Sequence, residues 1–184
     1  MSPTTLLITK VLALGIIGMQ VTIVGLLYLL FFGKKNERLR SIRTRVTDRA
    51  YLFAFLVALS GMLSSLYYSD VVGFAPCILC WWQRVFMYPQ VFILGLALWG
   101  KARDVTDEIL LLSGVGTTIG AYQYYGQMFN ASALPCPATP GSVSCAVIQF
   151  IEFGYITIPM MSLTGFILII VLMAVKKSAI EIDK

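Results

Sequence analysis

The chain contains no histidine among its 184 residues, and it carries little charge. The missing imidazole excludes histidine as a general base. Only 12% of the residues are charged and 58% are hydrophobic, whereas about 25% of the residues in a soluble domain are charged. The sequence also lacks the strand alternation of outer-membrane barrels, which favours helices as its spanning elements. The composition therefore predicts a helical integral membrane protein.

Long runs without charge predict the membrane-spanning helices. Three runs, at residues 11–33, 50–69 and 153–175, each reach the roughly 20 residues that a helix needs to cross a bilayer. Two further spans are predicted between residues 79 and 130, although their ends are more polar. The fold class is therefore all-α, a bundle of five transmembrane helices. The predicted spans cover about residues 8–32, 50–69, 79–99, 109–130 and 155–175.

The first apolar segment is predicted to remain as a helix and not to be cleaved as a signal peptide. Only Lys10 precedes the apolar run, the run is too long for a signal sequence, and a basic cluster follows it. We therefore count it as a genuine span of a single domain covering residues 1–184.

The basic residues predict the orientation in the membrane. Twelve of the fourteen lysines and arginines lie in the loop at residues 33–49, the turn at residues 100–108 and the C-terminal tail, all on one side of the five-span arrangement. The positive-inside rule makes that side cytoplasmic, with the N-terminus outside and the C-terminus inside. Because topology accounts for the basic loop, no nucleic-acid surface is inferred from it.

Four cysteines form two pairs on the predicted extracytoplasmic side. Cys77 and Cys80 open a predicted helix as a Cys-x-x-Cys motif, and Cys136 and Cys145 lie in a loop rich in proline, serine and glycine. A helix N-terminus stabilises the thiolate, which is the nucleophile of disulfide exchange. Disulfides persist outside the cytoplasm. The two pairs therefore predict a thiol relay.

Several motifs occur together around these cysteines. They are Pro76-Cys77-Ile78-Leu79-Cys80, Trp81 and Trp82, Arg84, Tyr88-Pro89, the pair Cys136 and Cys145, and Phe153-Gly154-Tyr155-Ile156-Thr157-Ile158-Pro159. In these features the chain resembles the DsbB/BdbC family of bacterial membrane thiol:quinone oxidoreductases. The resemblance covers about residues 50–175 and implies a four-helix redox core there. Residues 1–49 then add an extra span with the basic loop, and residues 176–184 form a cytoplasmic tail.

The resemblance implies an enzyme of the bacterial cytoplasmic membrane that exchanges disulfides and reduces a quinone. Its partner would be an extracytoplasmic thioredoxin-fold thiol oxidase that oxidises exported proteins, and its cofactor ubiquinone or menaquinone from the membrane pool. Cys136 would be attacked by the partner, with Cys145 as its disulfide companion. Cys77 would exchange with the loop pair and Cys80 would face the quinone. A transient Cys77–Cys145 bridge is implied, one of the pairings open to four cysteines.

Three residues near Cys80 are predicted to contact the quinone. Arg84 follows Cys80 by four residues, so both share one helix face. Its permanent charge would hold Cys80 as a thiolate and polarise a quinone carbonyl, with anchoring to lipid headgroups as the alternative. Trp81 and Trp82 are assigned either to the quinone pocket or to an interfacial aromatic belt.

The fourth span supplies two further predicted quinone contacts, Gln123 and Tyr122. Members of the family often have a Tyr-His-Tyr sequence where this chain reads Tyr122-Gln123-Tyr124. Amide and hydroxyl groups would then orient the quinone, and the source of its protons is left open. In the same span, Gly116-x-x-x-Gly120 predicts a face of close helix packing.

Three alternatives to this function are weighed. Vitamin K epoxide reductases also couple thiols to quinones, but their loop pair precedes the Cys-x-x-Cys motif, whereas here it follows. A metal site of four cysteines is disfavoured by the eight residues between Cys136 and Cys145, and no metal is predicted. A membrane scaffold with two structural disulfides would leave the placement of Arg84 after the Cys-x-x-Cys motif unexplained.

Overall fold

A computed structural model describes residues 3–32, 37–100, 104–134 and 143–180. The regular elements of these residues are helical, which confirms the all-α fold class. Six α-helices are described: α1 (Pro3–Phe32), α2 (Glu37–Asp48), α3 (Ala50–Leu66), α4 (Ile78–Leu98), α5 (Thr106–Phe129) and α6 (Ile158–Ile180). A π-helical turn, Tyr67–Val71, extends α3, and a 3-10 turn, Ala131–Ala133, follows α5.

Three of the helices described are long and apolar enough to cross a membrane. They are α1, α3 with its π-helical turn (Ala50–Val71), and the segment Ile158–Ala179 of α6. The helices α4 and α5 contain 21 and 24 residues, which suffices in length for a span of about 20 residues, but they are more polar. The protein is therefore a helical membrane protein, and the two spans expected at α4 and α5 stay predictions.

The basic segment that we predicted as a loop forms the helix α2, so that prediction was wrong. Apolar residues recur in it at helical spacing, and Val46 among them packs against the hydrophobic core. Arg43 is buried on the same helix, and its Nη2 donates a hydrogen bond to Ser178 Oγ of α6 at 2.6 Å. Contact with α6 thus gives α2 a packed face despite its charge.

The centre of the bundle is α6, which contacts α1, α2, α3 and α5 and makes a smaller contact with α4. Phe166, Ile169 and Met173 of α6 are fully buried. Gly116 of α5 lies against the Phe166 ring so closely that an added Cβ would be 2.3 Å from Phe166 Cζ. An added Cβ at Gly120 would be 3.6 Å from Leu163 Cα. The predicted close-packing face of α5 is confirmed.

The last helix begins three residues later than the predicted span, because a tight turn precedes it. Glu152 and Ile156 form an antiparallel bridge around Phe153 and Gly154, which have φ of 51° and 80°. Two successive residues with positive φ reverse the chain sharply. The hydroxyl of Tyr124 on α5 donates to the carbonyl of Tyr155 at 3.2 Å, which holds this turn beside α5.

Candidate functional site

The first cysteine pair lies at the start of α4, as the sequence predicted. Pro76 disfavours helical backbone in the residue before it, and Cys77 is the extended N-cap residue, with φ −76° and ψ 173°. Cys80 follows in the first helical turn. Their sulfur atoms are 3.2 Å apart, which is hydrogen-bonding contact and well beyond the bond length of about 2.05 Å. Cys77 and Cys80 are therefore in contact as a dithiol.

Gln123 of α5 binds this dithiol from the opposite helix. Its Nε2 lies 3.3 Å from Cys77 Sγ and 3.4 Å from Cys80 Sγ. Its Oε1 accepts a hydrogen bond of 2.6 Å from Nε2 of Gln83, and both glutamines are buried. The amide donors face sulfur and stabilise negative charge on it. Gln83 was not among the predicted site residues, although its position three residues after Cys80 places it on the same helix face.

Cys145 of the second pair lies directly beside Cys77. It is 1% exposed and packs with Cys77 and Leu134. Gln127, one turn after Gln123 on α5, donates from Nε2 to the carbonyls of Cys145 at 2.9 Å and Val147 at 3.2 Å. The structure thus brings members of the two cysteine pairs together. The predicted site residue Cys136 lies outside the described residues.

Arg84 is held against α3 one turn beyond Cys80. Its Nε donates to Ser65 Oγ at 2.9 Å and its Nη2 to the Ser65 carbonyl at 3.2 Å. The guanidinium lies over the ring of Trp81, 5.1 Å from its centroid, which adds a cation–π attraction. These contacts fix a permanent positive charge on the helix face that also carries Cys80.

Two cavities border Cys80. The smaller, of about 70 Å³, is lined by all three described cysteines together with Arg84, Gln123 and Gln127. The larger, of about 210 Å³, lies between α1, α3, α4 and α6, and we call it the α1 cavity. Cys80, Gln83 and Arg84 form its polar end, and the rest of its wall is mostly apolar. Cys80 and Arg84 border both cavities, whereas Cys77 and Cys145 border only the smaller one.

Three of the predicted quinone contacts do not line either of these cavities. Trp81 is 52% exposed, Trp82 49% and Tyr122 41%. The two tryptophans follow Cys80 by one and two residues, and such neighbours do not share a helix face. Trp82 instead stacks on Phe86 along the outside of α4. Arg84 and Gln123 are thus the predicted quinone contacts that the structure brings to the dithiol.

Comparisons with known proteins cover the part of the chain that carries this site. The family model described as "Disulfide bond formation protein DsbB" matches residues 47–176. Disulfide bond formation protein C of Bacillus subtilis (strain 168) is 40% identical over 128 residues, which are 69% of this chain and 92% of that protein. The SPbeta prophage-derived disulfide bond formation protein B of the same strain is 36% identical over 128 residues, covering 70% and 85%.

A further relative comes from a second Bacillus species. The probable disulfide formation protein C of Bacillus cereus (strain ATCC 14579) is 37% identical over 132 residues, which are 70% of this chain and 92% of that protein. No solved structure matches the chain. The family match spans α3 to most of α6, with the dithiol, Arg84 and Gln123, and it leaves α1 outside. Because the family model matches most of the chain and the matched segment contains this site, the chain belongs to the DsbB family of disulfide bond formation proteins.

Proposed function

We propose that the protein is a thiol:quinone oxidoreductase that reoxidises an extracytoplasmic thioredoxin-fold thiol oxidase and delivers the electrons to a membrane quinone. One observation carries this proposal: the Cys77–Cys80 dithiol, with sulfurs 3.2 Å apart, lies between Cys145 and the α1 cavity. A relay needs a thiol donor on one side and an acceptor site on the other. The family's role in disulfide bond formation agrees with such a relay.

The proposed topology has five spans, with the N-terminus outside and the C-terminus in the cytoplasm. In it, residues 50–175 form the redox core and the cysteine pairs face the extracytoplasmic side. The arrangement of the helices supports it. The basic helix α2 meets the C-terminal end of α6 through Arg43 and Ser178, whereas the dithiol lies at the start of α4 near the end of α5. The basic helix α2 and the three described cysteines therefore lie at opposite ends of the bundle, in agreement with the positive-inside rule.

The thiol steps balance as two exchanges. A thiolate of the partner attacks Cys136 of a Cys136–Cys145 disulfide, and the partner's second thiol then displaces Cys136, so the partner leaves oxidised and the loop pair is reduced. The Cys145 thiolate next attacks Cys77 of a Cys77–Cys80 disulfide and releases Cys80 as a thiolate. Attack of Cys136 on Cys145 restores the loop disulfide and leaves the Cys77–Cys80 dithiol. The burial of Cys145 beside Cys77 supports the second exchange.

The residues around the α1 cavity fit a quinone. Arg84 and Gln83 offer hydrogen-bond donors at the end that Cys80 borders, and the remaining wall is mostly apolar. When bound, a quinone accepts two electrons and two protons as the dithiol becomes a disulfide. In this chain Gln123 orients both sulfurs and Arg84 holds a positive charge beside Cys80. Ubiquinone and menaquinone both have the carbonyl and ring chemistry that this site accommodates.

The test is quinone reduction by purified protein in mild detergent. A reduced thioredoxin-fold thiol oxidase serves as electron donor, and short-chain ubiquinone and menaquinone analogues serve as acceptors, with reduction followed by absorbance. We expect reduction that depends on the donor and on this protein, together with stoichiometric oxidation of the donor. Absence of reduction with either quinone, by protein whose cysteines remain as stable disulfides, would favour the structural scaffold instead.

A further inference from the structure

The helix α1 lies outside the segment that the family model matches, yet it borders the cavity beside the dithiol. On the basis of the function proposed above, we propose that α1 forms one wall of the quinone site in this protein. Because Gly15 has no side chain, it leaves the space that the quinone occupies. The wall is a feature of this chain because α1 is additional to the matched four-helix segment.

Contacts near its two ends hold α1 in place. Near the N-terminal end, the Tyr68 hydroxyl donates to Thr9 Oγ1 at 3.1 Å, and both residues are buried. Near the other end, Leu26 is 5% exposed and belongs to the main hydrophobic core. Between them, Gln20 accepts a 2.8 Å hydrogen bond from the Tyr155 hydroxyl before α6. These contacts make α1 a fixed part of the bundle and give it a defined face toward the site.

Between its attachments α1 stands away from the helices opposite. Its backbone packs along α6 and α2, but among the described residues it makes no close backbone contact with α3 or α4. The α1 cavity occupies this space, and α1 contributes Val11, Leu12, Gly15, Ile16 and Met19 to it. An ideal Cβ placed on Gly15 would meet no atom within 4 Å. The space is therefore a consequence of how α1 is attached, and Gly15 keeps it open.

The chemistry of the cavity matches an amphiphilic ligand whose reactive end lies at the dithiol. Its polar end is formed by Cys80, Gln83 and Arg84, and Ser65, which binds Arg84, also borders it. The α1 side is apolar apart from the glycine backbone. A quinone ring at the polar end would place its isoprenoid tail along α1, where apolar burial stabilises it. Without α1, that side of the ring would be open to lipid.

A matched pair of substitutions on α1 tests this wall. Gly15→Leu places a side chain in the cavity, whereas Gly18→Leu makes the same change at a position that does not border it. Both glycines have open space around an added Cβ, so neither change causes a clash at the backbone. Gly15→Ala provides a smaller step, and thermal unfolding in detergent checks that each variant folds.

The readout is quinone affinity, measured by quenching of tryptophan fluorescence with a short-chain quinone analogue, and the KM for quinone reduction. We expect Gly15→Leu to weaken binding and raise KM by about tenfold, because the leucine side chain would occupy the space that the quinone needs. Gly15→Ala should lie between it and the unsubstituted protein, and Gly18→Leu should bind like the unsubstituted protein. The thiol exchange with the reduced partner should also be unchanged in Gly18→Leu.

Two results would contradict the proposal that α1 forms a wall of the quinone site, without contradicting the proposed function. One is equal quinone affinity in Gly15→Leu and the unsubstituted protein, and the other is an equal loss of quinone affinity in Gly15→Leu and Gly18→Leu. Failure of the unsubstituted protein to bind or reduce quinone would instead contradict the proposed function. Because binding is read separately from turnover, the two failures are distinct.

Discussion

Gln123 of α5 donates its side-chain amide to the sulfur of Cys77 at 3.3 Å. The two residues are 46 positions apart in the chain, and one lies on α5 while the other caps α4. The same amide group reaches Cys80 at 3.4 Å. The sulfurs are therefore positioned by a helix other than the one that carries them, and their geometry depends on how α4 packs against α5.

Replacing Gln123 by Met should lower both the unfolding free energy and the rate of quinone reduction. It leaves the buried Nε2 of Gln83 without its 2.6 Å acceptor, so we expect the protein to lose about 1–3 kcal/mol of unfolding free energy. It also removes both N–H donors from the sulfurs, so quinone reduction should slow by about tenfold or more, the effect of about 1.4 kcal/mol on the barrier. Denaturant unfolding and turnover are measured side by side.

The double variant Gln83→Met/Gln123→Met is the control. Replacing both amides removes the unsatisfied donor, so stability should largely return while activity stays low. If activity recovers together with stability, Gln123 acts only by packing and its proposed role at the sulfurs is wrong.

Removing either sulfur of the Cys-x-x-Cys motif should abolish activity and leave the fold intact. Cys77→Ser and Cys80→Ser change a contact within one helical turn, and the bundle is held by the packing around α6. We expect no thiol-dependent quinone reduction and an unfolding midpoint near that of the unsubstituted protein. Substantial turnover by either variant would refute the relay, and a marked loss of stability would point to a structural disulfide.

Cys145→Ser should trap a mixed disulfide between Cys136 and the thioredoxin-fold partner. The substitution leaves Cys136 without its disulfide companion, so we expect the Cys136 thiolate to attack the disulfide of an oxidised partner, with the partner's second cysteine leaving as a thiolate. Cys145, the thiol beside Cys77 that would displace the partner from Cys136, is then missing, so the mixed disulfide accumulates. The adduct should appear as a heavier band on a non-reducing gel and disappear on reduction. Trapping that requires Cys80 in place of Cys136 would show that the roles of the two pairs are wrongly assigned.

Arg84 should act through its charge and its planar shape. Arg84→Met removes the cation beside Cys80 together with the hydrogen bonds to Ser65, so we expect a higher KM for quinone. Arg84→Lys keeps the charge and loses the fork of donors, so it should retain part of the function. Steady-state kinetics with a quinone series measure both. Unchanged kinetics in Arg84→Met would leave Arg84 as an anchor only.

Close packing between α5 and α6 predicts a contrast between two glycines of α5. Gly116→Ala brings a Cβ to 2.3 Å from the Phe166 ring, so we expect a loss of about 1–3 kcal/mol in unfolding free energy. Gly114→Ala meets no atom within 4 Å and should be neutral or stabilising by up to about 1 kcal/mol. Thermal unfolding compares them. Equal effects would mean that α5 and α6 are not packed at Gly116 as described.

Local patterns in the sequence were sufficient for much of the fold. The apolar runs gave the all-α class, and the Cys-x-x-Cys motif marked the start of α4 because a cap and a preceding proline act within a few residues. The spacing of Gly116 and Gly120 identified a packing face for the same reason, since a helix repeats every 3.6 residues. The helix α2 was missed, because its stability comes from contact with α6, to which Arg43 is bonded across 135 positions.

The site itself depended on contacts between helices. Sequence reasoning selected Cys77, Cys80, Cys145, Arg84 and Gln123, which the structure gathers around one point. It missed Gln83, whose helical spacing from Cys80 was a signal but whose role comes from a partner 40 residues away, and it did not foresee that Trp81 faces outward. The residue types and their helical spacing are determined locally by the sequence. Only tertiary packing decided which helix faces meet, and therefore that α1 lines the α1 cavity beside Cys80. The physical reason is that burial and hydrogen bonding between distant segments select one arrangement of the helices.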